Sequence, residues 1–98
     1  MLQGYAFLYS TMEILGKKWV VPLLLLLFFY EETNFSAIKK SLKITSRALS
    51  KKLKLLETLG LVEKIIQEGS RKSIYSLSLK GKQISELLVN FGASIKFD

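Results

Sequence analysis

Between Glu32 and Glu57 the chain carries seven cations and no acid: Lys39, Lys40, Lys43, Arg47, Lys51, Lys52 and Lys54. Arg47, Lys51 and Lys54 are spaced i, i+4 and i+7, so a helix places them on one face. Leu49, Leu53 and Leu56 repeat that spacing on the opposite side. Such a helix can pack into a core with its back and face a polyanion with its front. A run of Lys on a helix is ordinarily a solvated face. Three features argue for more: the acid-free window, the narrow arc of Arg47, Ser50, Lys51 and Lys54 (roughly 100° by the helical period), and a second basic element, Arg71-Lys72.

The residue types suggest a division of labour on nucleic acid. Arg47 can form a bidentate contact with guanine O6 and N7, or with a phosphate. Thr45, Ser46 and Ser50 fall in the first turns, where a recognition helix meets base edges or phosphates. Lys51 and Lys54 suit phosphate, because an ammonium is a point charge with little base preference. Arg71 and Lys72 would reach the minor groove or the flanking backbone. Lys39, Lys40 and Lys43 are equally readable as phosphate contacts or as a solvated face. Lys52 should pack its stem and bring its amine to the surface.

Several elements must position these groups. Tyr5, Leu8, Tyr9, Met12 and Leu15 recur at helical spacing, and Gly16 ends or bends that helix. Trp19 to Tyr30 is an unbroken apolar run of 12 residues, too short for a bilayer, which needs about 20. It also lacks the small-residue cleavage site of a signal peptide. A fully buried helix is expected, with Pro22 in its first turn. Core packing is the expected role of Trp19 and the N-terminal aromatics, ahead of a ligand pocket. Phe35-Ser36 reads as an apolar residue before an N-cap, opening a short helix over about Ala37 to Leu42. Lys43-Ile44 forms a turn, Thr45 or Ser46 caps the basic helix, and Gly60 stops it. The period then changes to 2: Leu61 to Ile66 and Ser73 to Leu77 predict a hairpin around a Gly69-centred turn. Ser78 caps a last helix with Ile84, Leu87, Leu88, Phe91 and Ile95 on its apolar positions.

Ninety-eight residues suit one domain, 1–98, with a modest core. Yet 49% of the residues are hydrophobic and the mean hydropathy is +0.26, more than such a core needs. A dimer interface is the simplest sink for the surplus. The net charge of +7 and pI near 9.7 call for an anionic partner. Without Cys or His, thiol chemistry, disulfides, the usual zinc sites and the commonest general base are excluded. The eight acids are scattered, and no Gly-rich phosphate loop exists, so neither enzyme activity nor a cofactor is expected.

In this order the elements make a helix-turn-helix followed by a β-wing, and the sequence resembles the HxlR-type winged helix-turn-helix transcription regulators, relatives of the MarR group. Leu15-Gly16-Lys17-Lys18-Trp19 is similar to that family's I-G-G-K-W stretch. Phe35 to Leu42 resembles F-x-E-L-x-x-x-L, and Ile44 to Glu57 resembles the recognition helix I-S-x-x-x-L-x-x-R-L-x-x-L-E. Gly60-Leu61-Val62 matches the G-L-V entering the wing, and Tyr75 to Gly81 matches Y-x-L-T-x-x-G. The likeness covers about Met12 to Leu88. Lys17 replaces a Gly, Pro22 replaces an ordinary helix former, and the N-terminal Cys of many relatives is absent, so a thiol-sensing role does not carry over.

The resemblance implies a homodimer, joined through the first and last helices, with one recognition helix per protomer in a major groove. The expected molecule is mainly α with a small β-hairpin wing (α+β). It would be a cytoplasmic, sequence-specific double-stranded DNA binder that regulates transcription, with repression favoured over activation and no effector site indicated. Its site would comprise Thr45, Ser46, Arg47, Ser50, Lys51, Lys54, Arg71 and Lys72. The alternatives are a winged-helix module docking an acidic protein or holding nucleic acid without sequence choice, and, more weakly, membrane-surface association through Trp19 to Tyr30.

Overall fold

A computed structural model describes residues 2–69 and 72–94. Five helices and three strands follow in the order α1 (Leu2–Leu15), α2 (Val20–Tyr30), β1 (Glu32–Asn34), α3 (Phe35–Leu42), α4 (Ser46–Thr58), β2 (Val62–Ile66), β3 (Ser73–Leu77) and α5 (Leu79–Ser94). The expected helix-turn-helix, wing and terminal helices are all present. Ile95, assigned above to the last helix, lies outside the described residues.

The sheet has three antiparallel strands in the order β1-β3-β2, where two were expected. The additional strand, Glu32-Thr33-Asn34, is polar and only three residues long, so it has no readable period of its own. Its pairing comes from β3, with Glu32 opposite Ser76, Thr33 opposite Tyr75 and Asn34 opposite Ile74. This strand also moves a cap. Asn34 ends β1 with an extended backbone, and its Oδ1 accepts the Ala37 N–H at 2.9 Å. The cap of α3 is therefore Asn34 rather than Ser36, and the helix begins at Phe35.

The core gathers Val20, Leu23, Leu24 and Leu27 of α2, Ile38 of α3, Leu49, Leu53 and Leu56 of α4, and Tyr75 and Leu77 of β3. α2 is its centre but is not buried all round: Phe29 and Tyr30 are each 67% exposed. A small core has one inside, and the last turn of α2 runs past the elements that cover it. Pro22 does fall in the first turn, where its missing N–H costs little. Ahead of it Trp19 takes a left-handed conformation (φ 76°), with the Lys18 ammonium 5.7 Å from its ring centroid.

Of the N-terminal aromatics, Tyr5 and Tyr9 do not pack into this core. Tyr5 and Tyr9 are 60% and 70% exposed, and Leu8 and Met12 are exposed beside them. Among the described side chains of α1, Ile14 and Leu15 at its C-terminal end join the body, whereas Tyr5, Leu8, Tyr9 and Met12 have no cover within one protomer. Trp19 itself is half-buried against the core, as expected.

Candidate nucleic-acid interface

Two short-range devices set the angle between α3 and α4. Lys43 turns left-handed (φ 53°) and its N–H bonds back to the Lys39 carbonyl, closing α3. Ile44 is then buried, which anchors the turn in the core. Thr45 starts α4 as the cap: its Oγ1 accepts the Ala48 N–H at 3.2 Å. Between the two candidates, Thr45 and Ser46, the cap is thus Thr45, and Ser46 is left to face outward in the first turn.

α4 divides as its spacing requires. Leu49, Leu53 and Leu56 are buried, whereas Thr45, Ser46, Arg47, Ser50, Lys51 and Lys54 are all exposed. Lys52 is intermediate, which fits a packed stem. The C-terminal end is held by Gly60 at φ 73° and by Ser78, whose Oγ donates to the Gly60 carbonyl at 2.6 Å and accepts the Gly81 N–H at 3.0 Å. One serine thus ties the exit of α4 to the start of α5, across the base of the wing.

The wing meets α4 along two shallow clefts. One, of about 340 Å³, has Ser50 on one wall and Lys72, Ser73 and Tyr75 on the other, with Asn34 and Ser36 at its end. The other, of about 590 Å³, places Lys54 of α4 across from Lys64 of β2. The fold thus brings Ser50, Lys54 and Lys72 to one surface. Arg71 lies outside the described residues. Lys39, Lys40 and Lys43 are exposed but line neither cleft.

Lys64 was not among the residues singled out in the sequence. Its signal is the strand period: Val62 is buried, so Lys64, two residues on, belongs to the same face. The register agrees, since Lys64 pairs with Tyr75, and Tyr75 pairs with Thr33. The opposite face carries Glu32, Ser76 and Glu63 in one row. Glu31 and Glu86 join Glu32 and Glu63 around a cleft of about 550 Å³ there, with Lys82 as the cation. The sheet therefore sorts charge, with lysines towards α4 and glutamates away from it. Four of the eight acids, Glu31, Glu32, Glu63 and Glu86, thus gather on the face away from the basic arc, whereas Glu57 lines the same cleft as Lys54 and Lys64.

An exposed cationic helix, set by a tight turn onto a supporting helix and flanked by a β-wing, defines the class of winged helix-turn-helix DNA-binding proteins. The chain belongs to the HxlR-like helix-turn-helix family, whose model matches residues 14–96. It is 35% identical over 81 residues to the uncharacterised HTH-type transcriptional regulator YvaP of Bacillus subtilis (strain 168), covering 81% of this chain and 74% of that one. Among solved structures it is similar to the reduced form of the transcriptional regulator YodB from B. subtilis, with a TM-score of 0.75 and 26% identity over 87% of this chain and 84% of that one. The fold is also that of the transcriptional regulator HlyU from Vibrio vulnificus CMCP6, with a TM-score of 0.76 and 23% identity over 93% of each chain. The protein is thus a helix-turn-helix transcriptional regulator by family, with a DNA-binding fold. Among the described residues, no helix is long and apolar enough to cross a membrane.

Proposed function

We propose that the chain forms one DNA-binding domain over residues 1–98, acts as a homodimer in the cytoplasm, and represses transcription by occupying a pseudo-palindromic operator. The observation that carries this reading is the exposed arc of Arg47, Ser50, Lys51 and Lys54 beside a wing whose lysines share its side of the sheet. In this reading α4 enters the major groove, Thr45 and Ser46 meet its edge, and Arg47 reads a base. Lys51, Lys54, Lys64 and Lys72 hold phosphates, and Arg71 reaches the flanking groove. No catalytic step is involved.

Footprinting on genomic fragments tests the whole reading, with a protected, two-fold related site as the expected result. Equal binding to random duplex would instead support a module without sequence choice. Replacing Arg47 with Ala should weaken binding to the selected site by about 1–3 kcal/mol and relax preference at one base pair of each half-site. A variant with unchanged site preference would remove Arg47 as a base reader.

The homodimer is supported by apolar surface with no cover in one protomer: Tyr5, Leu8, Tyr9 and Met12 on α1, and Leu87 and Phe91 on α5. Exposed large apolar side chains in such number mark interaction sites. Sedimentation equilibrium should therefore return about twice the 11.2 kDa chain mass. The paired change Tyr9→Glu and Phe91→Glu should return the single-chain mass while helical content persists. A wild-type monomer at micromolar concentration would argue against the dimer.

A further inference from the structure

Ile65 and Ile66 close strand β2, and both are exposed, at 49% and 69%. They point to opposite faces of the sheet, because successive strand residues alternate. Ile66 pairs with Ser73, and Ser73 and Lys72 line the cleft that Ser50 of α4 shares. Val62, Lys64 and Ile66 therefore form one row, which runs from the core, past the lysine facing Lys54, to an apolar side chain at the wing's outer end. Ile65 pairs with Ile74 and belongs to the row of the other face.

We infer that Ile66 is an apolar contact of the wing with double-stranded DNA, packing against deoxyribose in the minor groove next to the major groove that holds α4. The inference rests on the DNA-binding reading above. Ile66 lies two residues, about 7 Å, beyond Lys64 along the strand. If Lys54 and Lys64 hold phosphates at the cleft, the strand carries Ile66 past that phosphate ridge towards the adjoining groove. Cations adjoin this row: Lys64 precedes Ile66, and Lys72 adjoins its partner Ser73, while the acid Glu57 lines the cleft of Lys54 and Lys64. An acidic protein partner would satisfy those cations equally well but would give the isoleucine no sugar wall. Minor-groove proteins commonly combine cations with Ile, Leu or Phe in this way. The contact would add affinity without neutralising a phosphate, so its thermodynamic mark is distinct from that of a lysine.

The test compares wild type, Ile66→Ala, Ile65→Ala and Lys72→Ala on the duplex selected by wild type, across a salt series. Ile66→Ala is expected to weaken binding about fivefold to tenfold with an unchanged slope of log affinity against log salt. Lys72→Ala should lower that slope by about one for each phosphate left without its lysine. Ile65→Ala should match wild type in both respects. Hydroxyl-radical protection at the outer minor groove of each half-site should fade in Ile66→Ala and persist in Ile65→Ala. Wild-type affinity in Ile66→Ala, or equal losses in the two isoleucine variants, would overturn the inference and leave the DNA reading intact. Failure of wild type to bind any duplex would overturn both. Both side chains are exposed, so matching thermal midpoints should show that folding is unaffected.

Discussion

Raising the salt from about 50 to about 200 mM is expected to weaken operator binding by about 10³–10⁵-fold, provided two protomers make 6–10 phosphate contacts between them. The physical source is release of the counterions condensed on DNA. Each lysine that replaces a counterion contributes about 0.9 to the logarithmic slope. The exposed lysines of the site, Lys51 and Lys54 on α4 with Lys64 and Lys72 on the wing, are numerous enough for this when counted in two protomers. Lys64→Gln is the informative variant, because only the sheet register places this residue opposite Lys54. It should reduce the slope by about one per protomer and weaken all duplexes alike. Affinity that stays flat across the salt series would refute the electrostatic account. An unchanged slope in Lys64→Gln would confine phosphate contact to other lysines.

Gly81→Ala is expected to destabilise the fold by about 3 kcal/mol or more, with loss of DNA binding as a consequence. By helix propensity alone the change should help, since Ala is favoured over Gly in a helix by about 1 kcal/mol. The packing reverses that sign. Gly81 is buried in the first turn of α5, and a β-carbon there would overlap the carbonyl oxygen of Leu61. It would also press on the Leu61 carbonyl carbon at 3.1 Å and Leu77 Cδ2 at 3.2 Å. Backbone cannot swing aside as a side chain can, and this carbonyl already accepts the Ser78 N–H at 3.0 Å. Relief must shift α5 away from the base of the wing. Gly60→Ala is the contrast. Gly60 has open space around it but a φ of 73°, so its cost is confined to the left-handed backbone, about 1 kcal/mol. Urea unfolding at one fixed protein concentration should separate the two, with the larger midpoint shift for Gly81→Ala. A midpoint equal to or above wild type in Gly81→Ala would show that α5 does not approach Leu61 this closely.

The two glycines show what can be read from a chain and what cannot. Gly60 was legible as a helix stop, because a φ above zero is a local demand that glycine meets by itself. Gly81 was visible only as part of a family-like motif. Its reason is a contact with a residue twenty positions away, which no local pattern encodes. Periodicity likewise marked Leu49, Leu53 and Leu56 as the buried side of α4 and left Arg47, Ser50, Lys51 and Lys54 outside. A helix with one apolar stripe has only one way to turn. A cap at Thr45 or Ser46, the wing strands and Ser78 were readable for the same reason: their determinants lie within a few residues.

Tertiary structure decided what depends on neighbours. β1 exists because β3 offers an edge, and its arrival made Asn34 the cap of α3 in place of Ser36. Tyr5 and Tyr9 have helical spacing, but spacing says only that they share a face, not that anything covers it. Strand alternation parts Lys64 from Glu63, but only the sheet register set Glu32 in the row of Glu63, and only packing brought Lys64 beside Lys54. By itself the sequence determined the five helices, the two wing strands, the basic face and the fold class, because hydrophobic period and turn chemistry act over a short range. Which surfaces lie together was set only when the chain closed on itself, because pairing and packing join residues that the sequence keeps far apart.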